Sequence, residues 1–157
     1  MHRFHCTLIV VRTSLFAIVL VLVAATAESA QCSVATSSVN FGVYNVFDTL
    51  PNDSTGTITL SCNGGAKNVA ITISRGAAPT FASRFMNQVT ELLLYNLYLD
   101  ASRSVIWGEG AGGSQMEIVP DPPNNKDVPL TIFARIPAGQ DVSAGSYSDS
   151  VTITIQY

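Results

Sequence analysis

The feature that most constrains this chain is strict two-residue alternation. In its last stretch Val151, Ile153, Ile155 and Tyr157 alternate with Ser150, Thr152, Thr154 and Gln156. Successive side chains of a β-strand point to opposite faces, so the pattern predicts a strand with one buried and one wet face. Ile58, Leu60 and Cys62 alternate with Thr57, Thr59 and Ser61, and Val69, Ile71 and Ile73 repeat the pattern ahead of a turn at Arg75-Gly76. Further strands are expected over 32–36, 39–44, 92–99 and 128–136, about six or seven in all, although propensity alone leaves 91–94 open to a helical turn. Amphipathic-helix spacing is missing from every window of about eleven residues, which argues against an α/β fold.

Turn chemistry separates these segments at 50–56, Asn63-Gly64-Gly65, 108–113, 120–125 and Pro137-Ala138-Gly139. Short alternating strands divided by turns point to an all-β, two-sheet sandwich. The glycine-rich 108–113 and proline-rich 120–123 stretches read as one long loop between strands. A length of 157 residues with 47% hydrophobic content supplies one core and one domain.

Residues 1–30 read as a secretory signal: a basic start (Arg3, Arg12), an apolar run over 15–25, and small residues at Ala25, Ala27 and Ala30. The apolar run is short for a bilayer span. Cleavage is expected near Ala30, leaving a domain over 31–157. Both histidines, Cys6, two of the eight basic residues and Glu28 among the eleven acidic ones fall in this segment, so the remainder carries a net charge of −4. Its charge has no basic stripe, which argues against a nucleic-acid partner.

Cys32 and Cys62 remain, in a chain bound for an oxidising compartment, and are expected to form an intramolecular disulfide. Closing a loop of about thirty residues stabilises a fold by about 3 to 4 kcal/mol in the chain-entropy model. A redox or metal pair is disfavoured, because neither histidine nor CxxC spacing accompanies them.

The same inventory argues against an enzyme. Without histidine, Ser-His-Asp and Cys-His arrangements are excluded. Asp100 and Glu109 flank Trp107 as a glycosidase pair would, but acids beside a loop aromatic read better as solvated surface. Gly108-Glu109-Gly110-Ala111-Gly112-Gly113 is not followed by a helical pattern that would bind phosphate. Asp121 and Asp127 lack the spacing of a calcium loop. Neither cofactor, metal nor small-molecule substrate is expected.

The strongest strand stops at Tyr157. In a sandwich of about six strands this is expected to leave a sheet edge and an apolar cleft open to cover by something else.

Several ordered motifs carry a resemblance: Val39-Asn40-Phe41-Gly42-Val43-Tyr44, Leu94-Tyr95-Asn96-Leu97-Tyr98, Val105-Ile106-Trp107-Gly108, and Ile136-Pro137-Ala138-Gly139-Gln140 leading to Ala144-Gly145-Ser146-Tyr147-Ser148-Asp149. Together they resemble the spore coat protein U domain family over essentially all of 32–157. The resemblance implies an immunoglobulin-like sandwich lacking its last strand, as in archaic chaperone-usher pilins of Gram-negative bacteria. The missing strand is then donated first by a periplasmic chaperone and, after passage through an outer-membrane usher, by another pilus subunit. Val151, Ile153, Ile155 and Tyr157 would line one side of the acceptor groove, and Cys32 with Cys62 would be the family disulfide.

One departure from a shaft pilin stands out. A donor strand needs about ten residues to run along a groove of about 30 Å. Cleavage near Ala30 leaves only Gln31 ahead of Cys32, and cleavage after Ala25 leaves six small or polar residues. The chain is therefore expected to accept a strand without donating one, at a fibre end, first of all the tip. A tip position implies adhesion to a host or abiotic surface, as in biofilm, with Trp107, Tyr95 or Tyr98 as contacts. The alternative is a self-contained, secreted adhesin or lectin-like domain whose groove is closed by its own chain; the family name also allows a coat role.

Overall fold

The computed structural model describes residues 29–157. The signal segment expected over 1–30 lies almost wholly outside the described residues. The fold is all-β: β1 (Gln31–Thr36), β2 (Asn52–Asn63), β3 (Val69–Ile73), a 3-10 turn (Phe81–Ser83), β4 (Phe85–Gln88), β5 (Glu91–Leu94), β6 (Asn96–Tyr98), β7 (Glu117–Val119), β8 (Lys126–Ile136) and β9 (Ile153–Gln156). One sheet has the order β1-β2-β8-β6, a second the order β7-β3-β9, and β4-β5 is a separate hairpin.

Alternation is what builds the core. Ile58 and Leu60 of β2, Val69, Ile71 and Ile73 of β3, and Ile132, Ala134 and Ile136 of β8 point inward and are buried, while their neighbours keep contact with water. Each buried aliphatic side chain contributes about 1.5 to 3 kcal/mol of transfer free energy. β2 and β8 pair antiparallel from Asn52↔Ile136 to Ser61↔Asp127, forming the spine of the first sheet. The Cys32–Cys62 disulfide lies within the β1–β2 ladder, where these two residues are directly opposite.

Several expectations need correction. Residues 39–44 are not a strand: the chain runs along the free edge of β2, but side chains replace the ladder. Ser37 N donates to Thr57 O, Ser54 Oγ to Asn40 O, and Asn52 Nδ2 to both Phe41 O and Val43 O. Gly56 permits the approach, since a Cβ there would meet Val39 Cγ2 at 2.8 Å. The single strand expected over 92–99 is two, β5 and β6. Tyr95 and Asn96 are consecutive and both buried, so alternation breaks where the chain leaves the hairpin for the first sheet. The helical option over 91–94 does not occur. The long loop expected over 108–123 contains β7, which pairs with β3 from Val69↔Val119 to Ile71↔Glu117.

Candidate functional site

The two sheets meet along two seams, and the seams differ. On the β6/β7 side the backbone closes the gap. Leu99 N donates to Val105 O, Trp107 N to Leu97 O, Gln115 N to Ile106 O, Gly108 N to Gln115 O, and Ile73 N to Gly108 O. Trp107 fills this seam with 1% of its surface exposed, and its Nε1 donates to Ile71 O at 3.0 Å. The expectation that Trp107 contacts an outside surface is therefore overturned: the apolar ring is buried and its one donor is used internally. Tyr95 is likewise buried and Tyr98 half-buried. Among the exposed large apolar side chains are Val43, Phe47 and Leu50, between β1 and β2, and Val89 at the hairpin tip.

Arg84 braces the closed seam. It is fully buried and donates to Ser74 O at 2.8 Å, Ile73 O at 3.2 Å, Trp107 O at 2.8 Å and Asn96 Oδ1 at 2.9 Å. Its guanidinium also lies 5.3 Å from the Phe81 ring centre. Burial pulls its pKa below the ordinary arginine value, and the ring of carbonyl acceptors satisfies the charge with neutral dipoles. The sequence carries no signal for this role, since a lone arginine between loop residues reads as solvated.

The opposite seam, between β1 and β9, is open. Ser74 N donates to Thr152 O, and β3 pairs with β9 from Ala70↔Gln156 to Ile73↔Ile153. Antiparallel pairing alternates, so the N–H and C=O of Val151, Ile153 and Ile155 point away from β3, toward β1. Their side chains face the core yet stay half-buried, as do Cys32 and Val34 across the gap. Upstream, Ser148 exchanges backbone hydrogen bonds with Asn87 of β4, so this wall extends to Tyr147. The groove is antiparallel-walled: Gln31, Cys32 and Ser33 lie at the Tyr157 end, and Val39 and Phe41 at the Tyr147 end.

Toward Tyr147 the groove opens into two adjoining cavities. A cavity of about 380 Å³ is lined by Val39, Phe41, Leu97, Ile132, Val151 and Ile153. Sharing Val39, Phe41, Met86 and Tyr147 with it, a second of about 610 Å³ reaches Leu93, Ile136 and Val142. Phe41 and Tyr95 meet edge-to-face at 6.0 Å. Tyr95 OH donates to Asp149 Oδ2 at 2.8 Å; burial, reinforced by that carboxylate, raises the phenol pKa. Residues 137–147 form a strap over this end. Glu91 accepts from Ser143 Oγ, Ser143 N and Tyr147 OH, which holds its carboxyl below the usual range. Gln140 pairs with both backbone groups of Leu94.

Of the residues expected to line an acceptor groove, Val151 and Ile153 border the cavity of about 380 Å³, Ile155 lies toward the disulfide end, and Tyr157 sits beyond β9 beside Cys32 and Cys62. The second wall, 36–41, and the strap were not read from the sequence. Asp100 caps its own turn, accepting from Ser104 N and Val105 N. Asp121 pairs with Lys67 and Asp127 with Ser61; among the described residues no cluster of metal-ligating side chains occurs.

Comparison with known proteins agrees with this architecture. The family model of the Spore Coat Protein U domain matches residues 17–154. The chain is similar to Protein U of Myxococcus xanthus, at 31% identity over 142 residues, covering 80% of this chain and 77% of that protein. Its fold is similar to that of a chain in the crystal structure of the CsuC–CsuE chaperone–tip adhesion subunit pre-assembly complex, from archaic chaperone-usher Csu pili of Acinetobacter baumannii. The TM-score is 0.58 at 20% identity, covering 82% of this chain and 40% of that one. By the extent of the family match and the identity to Protein U, the chain belongs to the Spore Coat Protein U domain family.

Proposed function

We propose that this protein is a non-catalytic, exported subunit of a chaperone-usher surface fibre, and that the groove between β1 and residues 147–157 accepts a β-strand from a partner chain. One observation carries the reading: a strand whose inward side chains stay half-buried while its backbone donors and acceptors face an apolar gap. Unpaired edge groups and uncovered apolar surface together are what strand addition satisfies. The family and its fold neighbour support the fibre setting. The partners of this reading are a periplasmic chaperone, an outer-membrane usher and other pilus subunits, and the destination is the cell surface of a Gram-negative bacterium. A terminal position, the tip first of all, is supported by the composition of 26–31, small or polar without alternating apolar residues.

The test is expression of the full precursor in its native host with a tag inserted between Thr49 and Leu50, an exposed site outside the groove walls. A chaperone recovered from the periplasm in stoichiometric amount is the expected result. A stable monomer without a partner would overturn the reading in favour of a self-contained secreted binding domain.

A further inference from the structure

The packed domain begins ahead of its first strand. Ser29 and Ala30 precede β1, and Ala30 packs against the hydrophobic core. Their backbone lies on the turn that follows β2, so closely that a Cβ at Gly64 would meet Ser29 O at 2.8 Å, Ala30 Cα at 2.9 Å and Ala30 N at 3.1 Å. All three are main-chain atoms, which cannot swing aside as the end of a flexible side chain can. Gly65 has nearly the same conformation, φ +70° against +68°, yet a Cβ there would meet nothing within 4 Å. The left-handed backbone accounts for a glycine at 65. At 64 the glycine also makes room for residues 29 and 30.

That room serves a purpose only if the two residues stay on the exported protein. A signal-processing protease takes small side chains at the residue before the cut and at the third before it. A cut after Ala30 puts Glu28 in the third position, an ionised carboxylate where a small apolar side chain belongs. A cut after Ala25 puts the branched Val23 there, whereas a cut after Ala27 places Ala25 and Ala27 at the two selected positions. We propose that a signal peptidase cuts this chain between Ala27 and Glu28, and that Ser29 and Ala30 belong to the mature domain, seated on Gly64 as a cap at the disulfide end of the first sheet. This rests on the export reading above. The step is a hydrolysis: water adds across the amide, leaving a carboxylate on Ala27 and an ammonium on Glu28. The domain boundary moves accordingly from Gln31 to Glu28.

The first test is the intact mass, after reduction, of the periplasmic protein carrying the tag between Thr49 and Leu50. The expected result is one species that begins at Glu28. A species that begins at Thr26, or at Gln31 with or without cyclisation of that glutamine, would overturn the proposal. Uncut precursor in the inner membrane would overturn the cut while leaving export intact; uncut precursor in the cytoplasm would remove the export reading itself. A second measurement reads the packing alone, by urea denaturation of Gly64→Ala and Gly65→Ala in the same tagged protein. Both place alanine at a positive φ, but only the first collides with residues 29 and 30. The unfolding constant is expected to rise at least about tenfold more for Gly64→Ala than for Gly65→Ala. Equal rises would mean that Ser29 and Ala30 do not sit on Gly64 in the mature protein, and would overturn the proposal.

Discussion

Ile73 and Ile153 are directly opposite each other in the same sheet, yet Ile73 is fully buried and Ile153 only half so. The difference is the difference between the two seams. Ile73 leads toward the side where 105–115 stitches the sheets together and Arg84 and Trp107 fill the space. Ile153 stands on the side where the backbone stops short. Equal side chains in neighbouring strands thus have unequal surroundings, and the contrast separates what holds this domain together from what, in the function proposed above, it offers to a partner. The closed seam is self-sufficient in hydrogen bonds. The open seam has apolar side chains in position and, among the described residues, the backbone groups of β9 that face away from β3 have no ladder partner.

The largest expected effect breaks the closed seam. Arg84→Met leaves the carbonyls of Ile73, Ser74 and Trp107 without their Arg84 donor and Asn96 Oδ1 with Leu97 N alone, and a loss of about 3 to 5 kcal/mol is expected. Urea denaturation of the oxidised protein measures it; a loss below about 1 kcal/mol would remove Arg84 as the brace. Second in size is the paired comparison itself. Ile73→Ala is expected to cost about 2 to 5 kcal/mol and Ile153→Ala about half as much in the unpartnered chain, with the two converging once a strand fills the groove. Equal costs without a partner would mean that the open seam is as well packed as the closed one.

The smallest effect concerns the strap. The carboxyl of Glu91 titrates below its ordinary value of 4.5 because Ser143, first of all, and Tyr147 donate to its charged form. Its contribution is therefore fully present above about pH 4.5 and is lost as pH falls through the lower folded value. Limited proteolysis of 137–147 should accelerate on acidification through that window, and Glu91→Gln should cleave at the faster rate at neutral pH and lose the pH dependence. A pH-independent rate in the unmodified protein would show that the strap is held unaided by Gln140 and by Tyr44, whose OH donates to Pro137 O and accepts from Gln140 N.

Periodicity made one part of this architecture legible and not the other. The strands β2, β3 and β9 alternate strictly, because each has one face on the core and one in water, and the Cys32–Cys62 pair followed from export and count. Where a segment is buried on both faces or bonded through side chains, the two-residue rhythm disappears. Tyr95 and Asn96 mark such a sheet change. Trp107 sits in a glycine-rich stretch that reads as an exposed turn, but the turn folds back into the closed seam and buries the ring. The second wall of the groove escaped for a related reason: from Ser37 to Phe41 the chain is held by Asn52 and Ser54 side chains, which leaves no alternation to see. β4 and β7, of four and three residues, are too short for any period to register.

The register also fixes an order of events during folding. β2 finds its main neighbour in β8, with Asn52 opposite Ile136, and β3 finds one in β9, with Ala70 opposite Gln156. Both central strands therefore wait for the last third of the chain to be synthesised. Among the described residues, the β4–β5 hairpin, the turn-backs that pair 97–99 with 105–107 and 106–108 with 115, and the β1–β2 ladder with its disulfide can form from nearby residues. Pairings this distant in sequence place such domains among the slow folders, in the millisecond-to-second range, with apolar edges exposed meanwhile. A newly made chain is thus most prone to aggregate before β8 and β9 have docked.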